Sequence, residues 1–278
     1  MAVAERVVIS GAGCCTALGH DLDSVARSLR EGRDAFRASG ALEGLSVCPA
    51  EDWGQDGARQ QFEGWRHRHY LNRGSRMAVL SGLRALRDAG LEAGLPVRSQ
   101  IIAAVGPMLD VTGEPGLPSQ DTATLGALWL LRWLPNTAAG ALARFARCHG
   151  EALTVNAACA SALQALGEGW RRIRFGLADA VLVAAGDSRL SLGGLLGYHK
   201  ARALSLCAPG TGPRPFDMGR DGFVPGEGGA AFVLESLSSA QARGAHVHAE
   251  ILGYGASVDA ESLTAPEARG TWAELAVR

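Results

Sequence analysis

Hydrophobic positions along the chain alternate between short β-branched runs and longer stretches with apolar residues three and four apart. The first run, Val7–Ser10, leads through a glycine-rich turn to a helix near Leu22–Arg30. The strongest helical signal spans Ser75–Ala89, where Met77, Leu80, Leu83, Leu86 and Ala89 share one face and Gly90 supplies a stop. Ile101–Val105 reads as a buried strand. Leu128–Leu134 is an apolar stretch ended by Pro135-Asn136, with a short helix from there to about Arg147. A strand at Leu153–Asn156, a long helix at Ala160–Phe175 and a fully apolar strand at Ala180–Ala185 follow. Beyond a turn-rich loop at Leu206–Pro215, the pattern gives strand Ala230–Leu234, helix Ser236–Arg243 and strand Val247–Tyr254. Trp53–Tyr70 reads as a polar, aromatic surface loop, and Gly255–Arg278 carries weak signals. Continuous apolar strands flanked by helices predict a sheet covered on both faces, an α/β fold.

Composition narrows the function classes more than it names one. The 278 residues are 47% hydrophobic and 20% charged, enough to bury a sizeable core. A formal net charge of -1 gives no pull toward nucleic acid or an anionic membrane surface. No apolar run reaches the roughly 18 residues of a membrane helix. The early strand Val7-Val8-Ile9 leaves no room for a signal peptide ahead of it. Six cysteines (14, 15, 48, 148, 159 and 207) show neither a framework spacing nor a C-x-x-C pair. They read as reduced thiols of a cytoplasmic protein.

Candidate chemistry concentrates at Cys159, where the strand ends through Asn156, Ala157 and Ala158 and a helix begins. A thiol at such a junction sees the positive end of the helix dipole, which favours the thiolate and makes a nucleophile. A small buried cysteine at a tight elbow is the plainer alternative. Gly11-Ala-Gly13 invites a dinucleotide reading, but Thr16 stands where the fingerprint needs its third glycine, so a tight turn before a helix is expected. No two of the seven histidines sit at ligand spacing, so no metal site is expected. His149 reads as a loop residue, and His199 as one that could approach a pocket.

Four blocks carry a family resemblance. LTVNAACASALQALGEGWRRIRFGLADAVLVAAG, beginning at Leu153, resembles the nucleophile elbow of β-ketoacyl synthases, the condensing enzymes of fatty acid and polyketide assembly. RPFDMGRDGFVPGEGGAAFVLE at Arg214–Glu235 is similar to that family's loop-and-strand signature. VVISGAGCCTALGHDL and LPNTAAG resemble further family blocks, in the family's order. The resemblance implies a thiolase-like layered fold, helices around a mixed sheet, the first half of a doubled α-β-α-β-α architecture. On that reading residues 1–255 form the ketosynthase N-terminal domain and 256–278 a tail at the start of a second half.

The resemblance makes Cys159 the acyl-accepting nucleophile, with Asp217, Arg220, Asp221, Gly222, Gly226, Glu227 and Gly228 supporting the active-site floor. Acyl groups would come on the phosphopantetheine arm of acyl carrier protein, and no cofactor or metal is implied. In the family two histidines and a Gly-Phe-Gly segment from the second half serve decarboxylation and the oxyanion hole. No matching block follows Glu235, and no histidine follows His248. Two functions follow as expectations. One is acyl transfer at Cys159 with condensation completed by a partner chain. The other is a chain-length-factor-like subunit, since the strand at Leu153–Asn156 pairs across the family's dimer axis. Either predicts a homodimer, or a heterodimer with a full-length ketosynthase.

Overall fold

A computed structural model of the chain describes residues 5–108, 127–262 and 264–278. Eight strands and eight helices follow one another in it. They are β1 (Val7–Thr16), α1 (Leu22–Arg30), β2 (Arg37–Ala38), β3 (Ser46–Val47), α2 (Gly57–Glu63), α3 (Arg73–Asp88), β4 (Ser99–Val105) and α4 (Asn136–Phe145). The rest are β5 (Ala152–Thr154), α5 (Ser161–Arg174), β6 (Ala180–Ser188), α6 (Leu192–Lys200), β7 (Glu227–Ser236), α7 (Leu237–Ala242), β8 (Ala249–Ile251) and α8 (Thr271–Val277). Six strands make one mixed sheet in the order β5-β4-β6-β7-β1-β8. β5, β4 and β6 run parallel, while β7 is antiparallel to both β6 and β1.

Period-two alternation in the strands sorts side chains onto two faces. Ile101, Ala103, Val105, Leu182, Ala184, Ala231 and Val233 join α3 and α4 in the larger core. Ile102, Ala104, Val181, Val183 and Leu234 face the other way, toward Ala165 and Ile173 of α5. The sheet is therefore covered on both faces, as the apolar runs predict.

Two sequence readings are corrected. The expected turn at Gly11-Ala-Gly13 lies inside β1, which continues to Thr16 with one irregularity between Ile9 and Gly11. These glycines serve close packing: a Cβ on Gly13 would lie 2.3 Å from the Ser81 carbonyl oxygen of α3. Trp53–Tyr70 is not a surface loop. It contains α2 and a 3-10 turn at Arg66–Tyr70, with Trp53 and Phe62 buried in the core. Strand Val247–Tyr254 contracts to Ala249–Ile251, and α6 and α8 form where the periodicity gave no helix.

Candidate active site

The three parallel strands end on the same side of the sheet, where sites of such folds gather. β5 is held to β4 by parallel pairing, and the Val155 N–H donates to the Ala103 carbonyl at 2.8 Å. The chain then leaves the sheet and takes a left-handed conformation at Ala158, φ +48°. One 3-10 turn, Ala158–Ala160, leads into α5 and carries Cys159 on its exposed surface. Ser161 closes this turn. Its hydroxyl accepts from the Ala157 N–H at 2.7 Å and donates to the Ala158 carbonyl at 2.7 Å. No side chain caps α5, and the Cys159 N–H has no hydrogen-bond partner among the described residues. Open N–H groups at a helix start favour negative charge, whether a thiolate or the oxyanion formed when sulfur attacks a carbonyl.

Residues 214–228 form a second cluster, built on local hydrogen bonds. The Asp221 carboxylate accepts from the Ser205 hydroxyl at 2.6 Å and the Leu206 N–H at 2.9 Å, which together hold its pKa below the usual carboxylate range. Asp217 accepts from the Gly219 N–H at 2.6 Å, and Arg220 donates to the Asp217 carbonyl at 3.0 Å. Gly222 has φ +145°, and a Cβ there would come within 2.5 Å of the Leu204 carbonyl carbon. Gly226 bridges to Cys48, and Gly228 pairs with Thr16 and Asp187 inside the sheet. Phe216 and Met218 stand almost wholly exposed on this loop.

Glu227 belongs to a network that the sequence did not announce. Its side chain is 1% exposed and pairs with Arg73, accepts from the Ser188 hydroxyl at 2.6 Å and accepts from the Ala50 N–H at 3.0 Å. The pairing with Glu227 raises the Arg73 pKa above its ordinary value. The network borders a cavity of about 490 Å³ at the carboxyl ends of β4 and β6, lined also by Asn72, Met108 and Ser191. Asn72 and Arg73 open α3 and Ser188 ends β6, far apart in sequence from Glu227 and with no shared motif, so no linear signal could find them.

The structure keeps the sequence-selected residues in two groups. Among the described residues no hydrogen bond or ion pair joins the Cys159 turn to residues 214–228. None of the seven histidines contacts that turn through a hydrogen bond, ion pair or ring contact. His199 is exposed near the end of α6, and His248 pairs with Asp88 at 2.6 Å. No group of His, Cys, Asp or Glu among the described residues could hold a metal ion. All six cysteines are free. Burial pushes the Cys15 thiol up to about 11 and also raises Cys14, Cys48 and Cys148, whereas hydrogen bonding to Ser205, Thr211 and Ser46 lowers Cys207. No helix among the described residues is long and apolar enough to cross a membrane.

A strand-turn-helix presenting a cysteine at the carboxyl end of a mixed sheet is the arrangement of the condensing enzymes, and comparison places the chain among them. Residues 4–240 match the family described as Beta-ketoacyl synthase, N-terminal domain, and the chain belongs to that family. It is 30% identical over 99% of its length to a putative mitochondrial 3-oxoacyl-[acyl-carrier-protein] synthase of Schizosaccharomyces pombe, spanning 68% of that protein. A β-ketoacyl synthase from Burkholderia phymatum superposes with TM-score 0.81 at 29% identity, over 98% of this chain and 70% of that one. The ishigamide ketosynthase/chain length factor superposes with TM-score 0.83 at 29% identity, over 99% and 69%. The fold is thus thiolase-like, in the family of fatty acid and polyketide synthesis, and the match covers the family's N-terminal half.

Proposed function

We propose that Cys159 accepts an acyl group from acyl carrier protein and that carbon–carbon bond formation is completed with a partner chain. One observation carries the reading: an exposed thiol whose own N–H, at the entry to α5, has no hydrogen-bond partner among the described residues and is open to a developing oxyanion. The thiolate attacks the thioester carbonyl, a C–S bond forms, and the carrier's pantetheine thiolate leaves and takes up the proton. Residues 214–228 support this floor by fixing the 203–206 segment through Asp221 and Gly222, while Glu227 ties β7 to α3. The acyl group arrives on the carrier's phosphopantetheine arm, and the chain needs no cofactor of its own. Condensation also asks for decarboxylation and a second oxyanion donor, and among the described residues no histidine bonds to the Cys159 turn, so the proposal gives these roles to a partner. Domain 1–255 carries the chemistry, residues 256–278 extend it, and six free thiols suit the cytoplasm.

A chain-length-factor-like role within a heterodimer is the second reading. Among the described residues β5 is an edge strand of the sheet, which suits pairing with a partner's strand. One structural neighbour is itself a ketosynthase/chain length factor. Incubating the purified chain with acyl-loaded carrier protein, alone and with full-length ketosynthases, and reading intact mass separates the two. Acylation lost in Cys159→Ala supports the first reading. An unmodified chain in a tight heterodimer sinks it and favours the second.

A further inference from the structure

We infer that Ser161 is a positioning residue that locks the Cys159 turn in its reactive shape; this deepens the acyl-transfer reading and rests on it. Ala158, immediately before the cysteine, holds φ +48°, a conformation that is strained for a non-glycine residue and persists only where its surroundings over-determine it. The restraint is visible on both sides of that residue. The Ser161 hydroxyl takes the Ala157 N–H at 2.7 Å and gives its own proton to the Ala158 carbonyl at 2.7 Å. The Ala160 N–H closes onto the Ala157 carbonyl at 3.1 Å and the Ser161 N–H onto Ala158, so every polar tie in the turn encircles Cys159. The side chains of Ala157, Ala158 and Ala160 are methyl groups and contribute no hydrogen bond of their own. A single hydroxyl therefore acts as donor and acceptor for the residues flanking the strained bond.

Such a clasp bears on chemistry more than on global stability. The turn is exposed, and α5 is anchored further along by Ala165, Gly167, Gly169 and Ile173. Opening the clasp lets Ala158 relax to the right-handed region, which re-aims both the thiol and the free Cys159 N–H. The cysteine then keeps its reactivity toward a small probe but loses its alignment with a thioester held by a carrier.

The test compares wild type, Ser161→Ala and Ser161→Thr, plus Ser161→Ala combined with Ala158→Gly. Single-turnover acylation by acyl-loaded carrier protein should fall about tenfold in Ser161→Ala, by misalignment. Ser161→Thr, which keeps the hydroxyl, should recover most of it. Ala158→Gly should recover part, because glycine takes positive φ at little cost. Iodoacetamide alkylation of Cys159 should change less than about twofold across the set. Backbone chemical shifts of selectively labelled Ala158 report the turn without any acyl donor: they should move in Ser161→Ala and return in Ser161→Thr. Unchanged shifts in Ser161→Ala, or equal acylation in all four proteins, overturn the clasp. A wild-type chain that alkylates but never acylates overturns the functional reading instead, and the shifts still decide the clasp.

Discussion

The two helices that sandwich the sheet are treated very differently. α3 buries twelve of its residues, from Gly74 through Leu86, against β1, β6 and β7 on one side and α2 and α4 on the other. α5 buries four, of which Ala165, Gly169 and Ile173 face the sheet while Gly167 lies against Tyr254, and it leaves Leu163 69% exposed one turn from Cys159. α3 is finished by this chain. α5, whose start carries Cys159, is partly covered by Tyr254, which packs against Gly167 and under Arg171, and by the bond from Trp170 to the Ile251 carbonyl. Burial is concentrated on the α3 face, and the edge that carries Cys159 stays exposed.

Substitutions on the closed face should break the fold. Gly13→Val places side-chain atoms where the Ser81 carbonyl already lies 2.3 Å from a Cβ, and should cost about 3 kcal/mol or more in a urea unfolding curve. Next in size is Glu227→Gln, which strips the charge from a buried carboxylate paired with Arg73; a loss of about 2 kcal/mol is expected in the same assay. On the open face the order of effects reverses. Leu163→Asp should shift stability by no more than about 0.5 kcal/mol yet weaken any heterodimer, measured by sedimentation.

The smallest effect is a pH dependence. Asp221 has its folded pKa depressed by Ser205 and Leu206, so its stabilisation is present above the unfolded value of about 3.9 and is lost as pH falls through the lower folded value. Amide exchange at Leu206 should therefore quicken, relative to intrinsic rates, on acidification below about pH 4, and Asp221→Asn should flatten that response.

The closed face was also the legible one. Apolar periodicity located α3, β4 and β6 within a few residues because those elements are buried along most of their length; α1 and α5 were located from their helical spacing although α1 buries only Ser28 and α5 only four residues. It failed at Gly11–Gly13, where glycine marks the contact of β1 with α3 rather than a turn. It failed again at Trp53–Tyr70, where polar residues surround the anchors Trp53 and Phe62 and hide a short helix capped by Asp56. For the site, Cys159 and the 214–228 loop could be selected from contiguous motifs. The Glu227–Arg73–Ser188 network could not, because its members lie in three elements brought together only by the sheet. Ser161 sat in plain view two residues past the cysteine, but its role depends on the left-handed turn at Ala158, which no alanine advertises.

The central proposal is that Cys159 takes up an acyl group and that condensation is completed with a partner chain. Acyl-loaded and malonyl-loaded carrier proteins, offered to the chain alone and then with a full-length ketosynthase whose own nucleophile is replaced by alanine, test it directly. Mass spectrometry should show acyl-Cys159 from the chain alone, with the condensed 3-oxoacyl product formed only when the partner is present. Product from the isolated chain, or a Cys159 that stays unmodified in both mixtures, would contradict the account.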